Sequence, residues 1–224
     1  MMKAMKRNTV RLLTCSCLAF AATSIASDSA CVSADDALRR LLSGDKRFVA
    51  GKSEESHGAA LIERRHTLAK DQKPFAVIVS CSDSRVPPEL VFDVTLGDLF
   101  VVRTAGEVVD AVGLGSIEYA IEHLGTRLVV VLGHQRCGAV SAAVSGGTET
   151  GDIPDVLKAI MRAVEETKGQ SGDPIDNAVR ANARDIAKRL QTGGPIIPPL
   201  VRTGEVKIVA AYYSLDTGQV ELLK

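Results

Sequence analysis

The chain has no tryptophan, and aromatic residues make up only 4% of it. Any core must therefore be assembled from valine, leucine, isoleucine and alanine. Neither charge is in excess: Lys+Arg and Asp+Glu number 27 each, which excludes the global basic surface of a nucleic-acid binder. There is no internal repeat, no long low-complexity linker and no apolar run long enough to span a bilayer stably. Solenoids and multi-span membrane proteins are thereby set aside. What remains is 46% hydrophobic and 24% charged residues in a chain of 224, the make-up of one globular domain with a real core.

Charge is unevenly spread at the start. Lys3, Lys6, Arg7 and Arg11 precede any acidic residue, Leu12 to Ala22 is largely apolar, and small residues follow in Thr23-Ser24-Ile25-Ala26-Ser27. This three-part pattern reads as a secretory signal peptide over 1–26, cut near Ala26 or Ser27. The expectation is an exported, periplasmic protein whose single domain occupies 27–224, with no membrane partner once the leader is removed. Removing the 26 residues and their four basic side chains leaves 198 residues with a formal charge of −4. Asp28-Ser29-Ala30 is a poor lipid-attachment context for Cys31. Of five cysteines, Cys15 and Cys17 leave with the signal, so Cys31, Cys81 and Cys137 remain. An odd number in an exported chain implies a use for cysteine besides disulfides.

The hydrophobic pattern predicts α/β architecture. Ser33 ahead of Asp35-Asp36, with Leu38, Leu41 and Leu42 on one face, marks a capped helix start. A second helical stretch runs from Leu61 to Lys70, and together these form an N-terminal helical arm over about 33–70. After Pro74, short apolar runs at Phe75–Val79, Leu99–Val102, Leu128–Leu132 and Val206–Tyr213 read as strands buried on both faces. Helical stretches at Ser116–Leu124, Asp155–Lys168 and Asp173–Leu190 alternate with them. The result is a mainly parallel β-sheet core flanked by helices, in which ligands gather at the carboxyl ends of strands.

Two of those ends carry chemistry. The first strand runs into Ser80-Cys81-Ser82-Asp83-Ser84-Arg85 and the third into Gly133-His134-Gln135-Arg136-Cys137-Gly138. Cys81, Asp83, His134 and Cys137 combine thiolate, carboxylate and imidazole, a set that suits Zn²⁺. Residues 81 and 83 of an extended segment point the same way, and a helix starting after Cys137 favours its thiolate. A Cys81–Cys137 disulfide is the competing reading, though it leaves His134 and the Asp83-x-Arg85 pair without a role.

Cys81-Ser82-Asp83-Ser84-Arg85-Val86-Pro87 together with His134-x-x-Cys137-Gly138 resembles the β-class carbonic anhydrases, and the likeness extends from about Leu38 to Leu223. The resemblance implies zinc held by Cys81, His134 and Cys137. It implies an Asp83–Arg85 dyad beside the metal, with Asp83 a fourth ligand in a closed state. It also implies a substrate pocket for CO₂ and bicarbonate lined by Gln72, Phe100 and Ala105, and a homodimer or larger homo-oligomer in which the arm embraces the partner. Three features depart from the family pattern. Ile78 stands where tryptophan is common, so a bicarbonate regulatory site involving Arg103 is not expected. Thr104 and Glu107 stand where asparagine is usual, and Gln135-Arg136 replaces a small or acidic pair.

By this resemblance the chain hydrates CO₂ on a zinc-bound hydroxide, more readily on the alkaline side because two thiolates dampen the metal's acidity. Arg85 holds Asp83 off the metal. His57, His66 and Glu107 are candidates for proton relay, and His123 reads as a helix C-terminus. The alternatives are hydrolysis of CS₂ or COS on the same scaffold, and a closed structural zinc site.

Overall fold

The computed structural model describes residues 32–54 and 59–224. The leader read at 1–26, Cys31 and His57 lie outside those residues. In chain order the elements are α1 (Ala34–Val49), α2 (Ala59–Leu68), β1 (Ala76–Cys81), α3 (Pro88–Val91), β2 (Leu99–Thr104) and a 3₁₀ turn (Ala105–Glu107). There follow α4 (Ala111–Glu122), β3 (Leu128–His134), α5 (Gly138–Ser145), α6 (Ile153–Thr167), α7 (Pro174–Thr192), α8 (Ile197–Arg202), β4 (Lys207–Tyr213) and β5 (Val220–Leu223).

The five strands form one sheet in the order β2-β1-β3-β4-β5. The first three pairings are parallel and β5 closes one edge antiparallel to β4. The mainly parallel sheet and the helix after Cys137 are as expected; the antiparallel edge strand, α3 and α8 are additions. The chain leaves β1 toward β2 on one side and later returns to β3 on the other. The carboxyl ends of β1 and β3 therefore flank the point where strand order reverses, which is where open α/β sheets place their ligands.

Alternation along the strands divides the core. Val77, Val79, Val129, Val131, Ile208 and Ala210 meet Ile117, Ile121, Ile186 and Leu190 from α4 and α7. Ala76, Ile78, Leu128, Val130 and Leu132 face the other way, onto Leu41, Val91 and Phe92 from α1 and α3. Every residue of β1 and β3 is buried. That explains their unbroken apolar runs, since neither face meets water.

Helix ends follow local chemistry. Ser33 caps α1 by accepting from the Asp36 amide, and Asp173 caps α7 by accepting from Ile175 and Asp176, with Pro174 in the first turn. Such caps are worth about 1 kcal/mol each. The arm helix α1 docks closely because of Gly44: a Cβ there would lie 1.7 Å from the Phe92 carbonyl oxygen. Arg47 adds an ion pair to the buried Asp93 at 2.5 Å. At the far side of the arm, Arg64 of α2 donates to the Leu96 carbonyl and to Asp98, fixing α2 beside the loop that enters β2.

Candidate metal centre

Cys81 is the last residue of β1 and His134 the last of β3, and both are buried. Cys137 is the N-cap of α5, three residues further on. Bringing His134 and Cys137 to the same side requires a tight turn, and Arg136 takes it at φ 53°. A non-glycine residue in that region costs about 1 kcal/mol. The turn is held from outside: Arg136 pairs with Asp216 at 2.6 Å and Gln135 donates to the same carboxylate at 2.8 Å. The departure at Gln135-Arg136 is thus explained by the loop between β4 and β5. Asp216 pins the two side chains outside the centre.

The three ligand atoms, the sulfurs of Cys81 and Cys137 and a His134 ring nitrogen, all lie within 4.8 Å of one another. The Sγ–Sγ distance is 3.9 Å. Tetrahedral zinc with Zn–S bonds of about 2.3 Å sets two sulfurs about 3.8 Å apart, so the pair is spaced for a shared ion. A disulfide needs about 2.05 Å, and both thiols are free. His134 supplies a further test of fit. Its Nδ1 lies 3.0 Å from the Gln135 carbonyl oxygen, a contact that places the ring proton there. Its buried Nε2 has no hydrogen-bond partner. A buried lone pair left without a donor is costly unless a cation takes it. The donor set therefore fits zinc.

Between the sulfurs, the surroundings favour the thiolate at Cys81, chiefly because the Cys137 S–H donates to it. The Gly106 amide donates to the same Cys81 sulfur at 3.3 Å. Cys137 is pushed up by its bond to Cys81 and by burial. A dication held by both sulfurs takes them as thiolates, so its binding is coupled to proton release.

Asp83 is engaged elsewhere. Its Oδ1 accepts from the Arg85 amide and Nε, both at 2.9 Å, and its Oδ2 accepts from Arg85 Nη2 at 2.7 Å. The Arg85 guanidinium holds the Asp83 carboxyl well below the usual carboxylate range. Arg85 also donates to the Arg136 carbonyl at 3.3 Å, which ties the dyad to the ligand turn. Asp83 Oδ2 lies 3.8 Å from His134 Nε2, so the carboxylate borders the centre while Arg85 engages both of its oxygens. Arg103 donates to the carbonyls of Cys81 and Asp83 at 2.9 and 2.7 Å and fixes the backbone between them.

The three residues expected to line a pocket divide. Ala105 is exposed directly after β2, beside Gly106 and hence beside Cys81. Gln72 and Phe100 do not reach this chain's centre. Gln72 is exposed ahead of β1, at its amino end, about 17 Å of strand from Cys81. Phe100 is level with Val77 in the ladder, about 13 Å short of the carboxyl end, and packs against Tyr119. Motif spacing gave their proximity in sequence, but a parallel strand sends its two ends to opposite edges. His66 is likewise exposed on α2 near the entrance to β2, away from the centre. His123 caps the C-terminus of α4, as read.

Glu107 differs most from its reading as a relay. It is fully buried, its Oε1 accepts from Asn182 Nδ2 at 3.0 Å, and its Oε2 has no partner. Burial pushes its carboxyl up to about 8. An acid with a raised folded-state pKa is progressively harder to keep folded as pH rises from its unfolded to its folded value. The metal-free protein should therefore lose stability between about pH 4.5 and 8, by up to a few kcal/mol. Glu107→Gln should flatten that dependence in thermal melts; a slope unchanged in the variant assigns it to another group.

The family model described as "Carbonic anhydrase" matches residues 76–220. The chain is 39% identical to "Carbonic anhydrase 2" of Mycobacterium tuberculosis over 190 residues, covering 83% of this chain and 91% of that one. It is equally close, 39% over 190 residues with the same coverages, to the "Carbonic anhydrase" of Mycolicibacterium smegmatis. Among solved structures it is similar to the β-carbonic anhydrase CafA of Aspergillus fumigatus. That match has 25% identity and a TM-score of 0.65 over 84% of this chain and 90% of that one.

Proposed function

Since the chain belongs to the β-class carbonic anhydrases, we propose that it hydrates CO₂ reversibly to bicarbonate and a proton, with zinc held by Cys81, His134 and Cys137. The observation that carries this reading is the convergence of two sulfurs and an unpartnered imidazole nitrogen, beside a carboxylate that Arg85 turns away. Three protein ligands and a diverted fourth suit a catalytic rather than a closed structural site.

Zinc at this centre supplies a Lewis acid and a hydroxide nucleophile near neutral pH. The protein's own part is orientation. With zinc bound, Asp83 Oδ2, fixed by Arg85, would accept a hydrogen bond from the nucleophile and orient it toward the substrate. Arg103 and the Arg85–Arg136 contact keep the carboxylate from drifting. Ala105 presents only a methyl group at the entrance, which suits an apolar substrate. ¹⁸O exchange between CO₂ and water tests the reading: zinc-loaded protein should accelerate it, and metal-stripped protein should not. Equal rates in both would remove zinc from the account.

A homo-oligomer is the second element of the proposal. Gln72 and Phe100 reach a centre only from another copy. The edge strand β2 is half-exposed, with Tyr119, Val112 and Leu96 exposed in the same region. Solved relatives include enzymes described as tetrameric. If a second copy completes the pocket, Gln72→Ala and Cys137→Ser homo-oligomers should each be impaired, and mixed oligomers of the two should regain activity at sites pairing an intact metal set with an intact glutamine. No recovery on mixing would place Gln72 outside the site.

Export to the periplasm is supported by the basic and apolar start of the chain. N-terminal sequencing of native protein should begin near Ser27 or Asp28; an intact Met1 on soluble cytoplasmic protein would refute it.

A further inference from the structure

The turn after β2 is strained in a way its own residues do not explain. Gly106 and Glu107 are both left-handed, at φ 65° and 47°. Glycine meets this at no cost, whereas another residue would be strained at this φ and its Cβ, 2.6 Å from Ile160 Cδ1, would force that side chain to move. Glu107 has no such freedom, and a side-chain-bearing residue held there stores about 1 kcal/mol or more. The conformation aims the Gly106 amide at Cys81 Sγ, 3.3 Å away.

A buried side chain of α7 reaches this turn, which Thr104 also spans by donating from Oγ1 to the Val108 carbonyl at 2.6 Å. Asn182, in the middle of α7 and only 2% exposed, donates from Nδ2 to the Gly106 carbonyl and to Glu107 Oε1, both at 3.0 Å. An asparagine buried in a helix otherwise lined by alanine, valine, isoleucine and leucine is expensive unless its polar atoms are used. Its amide is spent on the two strained residues.

We propose that Asn182 is a positioning residue of the metal centre, clamping the 105–107 turn from α7 so that the Gly106 amide hydrogen-bonds the Cys81 sulfur. The inference rests on Cys81 being a metal ligand. An N–H···S bond draws charge from the thiolate and fixes the sulfur's orientation. Partners of this kind, one shell out from a metal, change its affinity by about tenfold to a hundredfold when removed.

The test uses full-length ¹⁵N-labelled protein loaded with ¹¹³Cd. The Gly106 amide proton should show scalar coupling to cadmium through the Cys81 sulfur. In Asn182→Ala the coupling should vanish, and zinc affinity by chelator competition should fall by about tenfold or more, while cadmium stays bound at saturating metal. Cadmium bound in a two-sulfur environment without coupling to Gly106, or coupling and affinity unchanged in Asn182→Ala, overturns the clamp and leaves the metal site standing. Cadmium that finds no two-sulfur environment overturns the site and the clamp together. Should Asn182→Ala fail to fold, the wild-type spectrum decides the first link. Asn182→Ser, which retains a hydroxyl but loses the two-pronged amide, then decides the second by the same loss of coupling.

Discussion

Replacing Cys137 by serine should remove the metal and the activity together. The substitution changes one atom in a fully buried N-cap position, so the fold loses little volume, and serine is itself a good cap. What is lost is a sulfur 3.9 Å from its partner. A neutral hydroxyl does not replace it on zinc, leaving only Cys81 and His134. Zinc held by a full set of protein ligands is worth about 10–16 kcal/mol, so loss of one ligand should weaken binding by about a thousandfold or more. Metal analysis should fall from about one zinc per chain to a trace, with hydration at the uncatalysed rate. A folded variant that keeps stoichiometric zinc would show that Cys137 is not a ligand.

Arg85→Ala should do the opposite to the metal and nearly the same to the rate. Asp83 meets two attractions: the forked guanidinium that now holds both its oxygens, and a cation beside His134 Nε2, 3.8 Å from Oδ2. A charge-assisted pair of this kind contributes about 1.5–3 kcal/mol. Without it, only the residue-85 amide restrains Oδ1, and the carboxylate is free to take the fourth position. Activity should fall by about a hundredfold or more while zinc content stays at the wild-type level. Asp83→Asn should also keep zinc and lose activity, through misorientation rather than blockage. Asp83's pKa is depressed below its ordinary 3.8, so the pair's stabilisation is complete above that value and is lost only as pH falls through the lower one. Titration of Asp83 therefore contributes nothing to a loss of rate between about pH 9 and 6. Wild-type hydration by Arg85→Ala across pH 7 to 9 would reduce Arg85 to a structural ion pair.

Much of this was legible in residue order, for physical reasons. Strands buried on both faces must be apolar throughout, so β1 and β3 stood out, and their last residues had to lie at the carboxyl edge. Ser33 and Asp173-Pro174 marked helix starts because their side chains satisfy amides that the helix leaves free. Other features depended on distant contacts. The helical stretch read from Ser116 begins at Ala111, where Asp110 caps it through the Gly113 amide despite two glycines, poor helix formers, in its first five residues. Strand β5 is exposed on half its residues and has no apolar run to betray it. Gln72 and Phe100 carried the right motif spacing but sit at the amino ends of their strands, a distinction that depends on topology. Nothing in the residue order marks Asn182. Only its burial against the 105–107 turn gives it a role, and only Arg85's grip on both oxygens shows Asp83 diverted from the ligand set.

The central claim is tested most directly by stopped-flow hydration of CO₂ from pH 6 to 9, with zinc measured on the same folded sample. With about one zinc per chain, kcat/KM should exceed the buffer reaction by orders of magnitude. It should climb toward the alkaline side, because two thiolates hold the nucleophile's pKa above the ~7 of a three-histidine site. A folded protein carrying stoichiometric zinc that hydrates CO₂ no faster than buffer at any of these pH values would contradict the account.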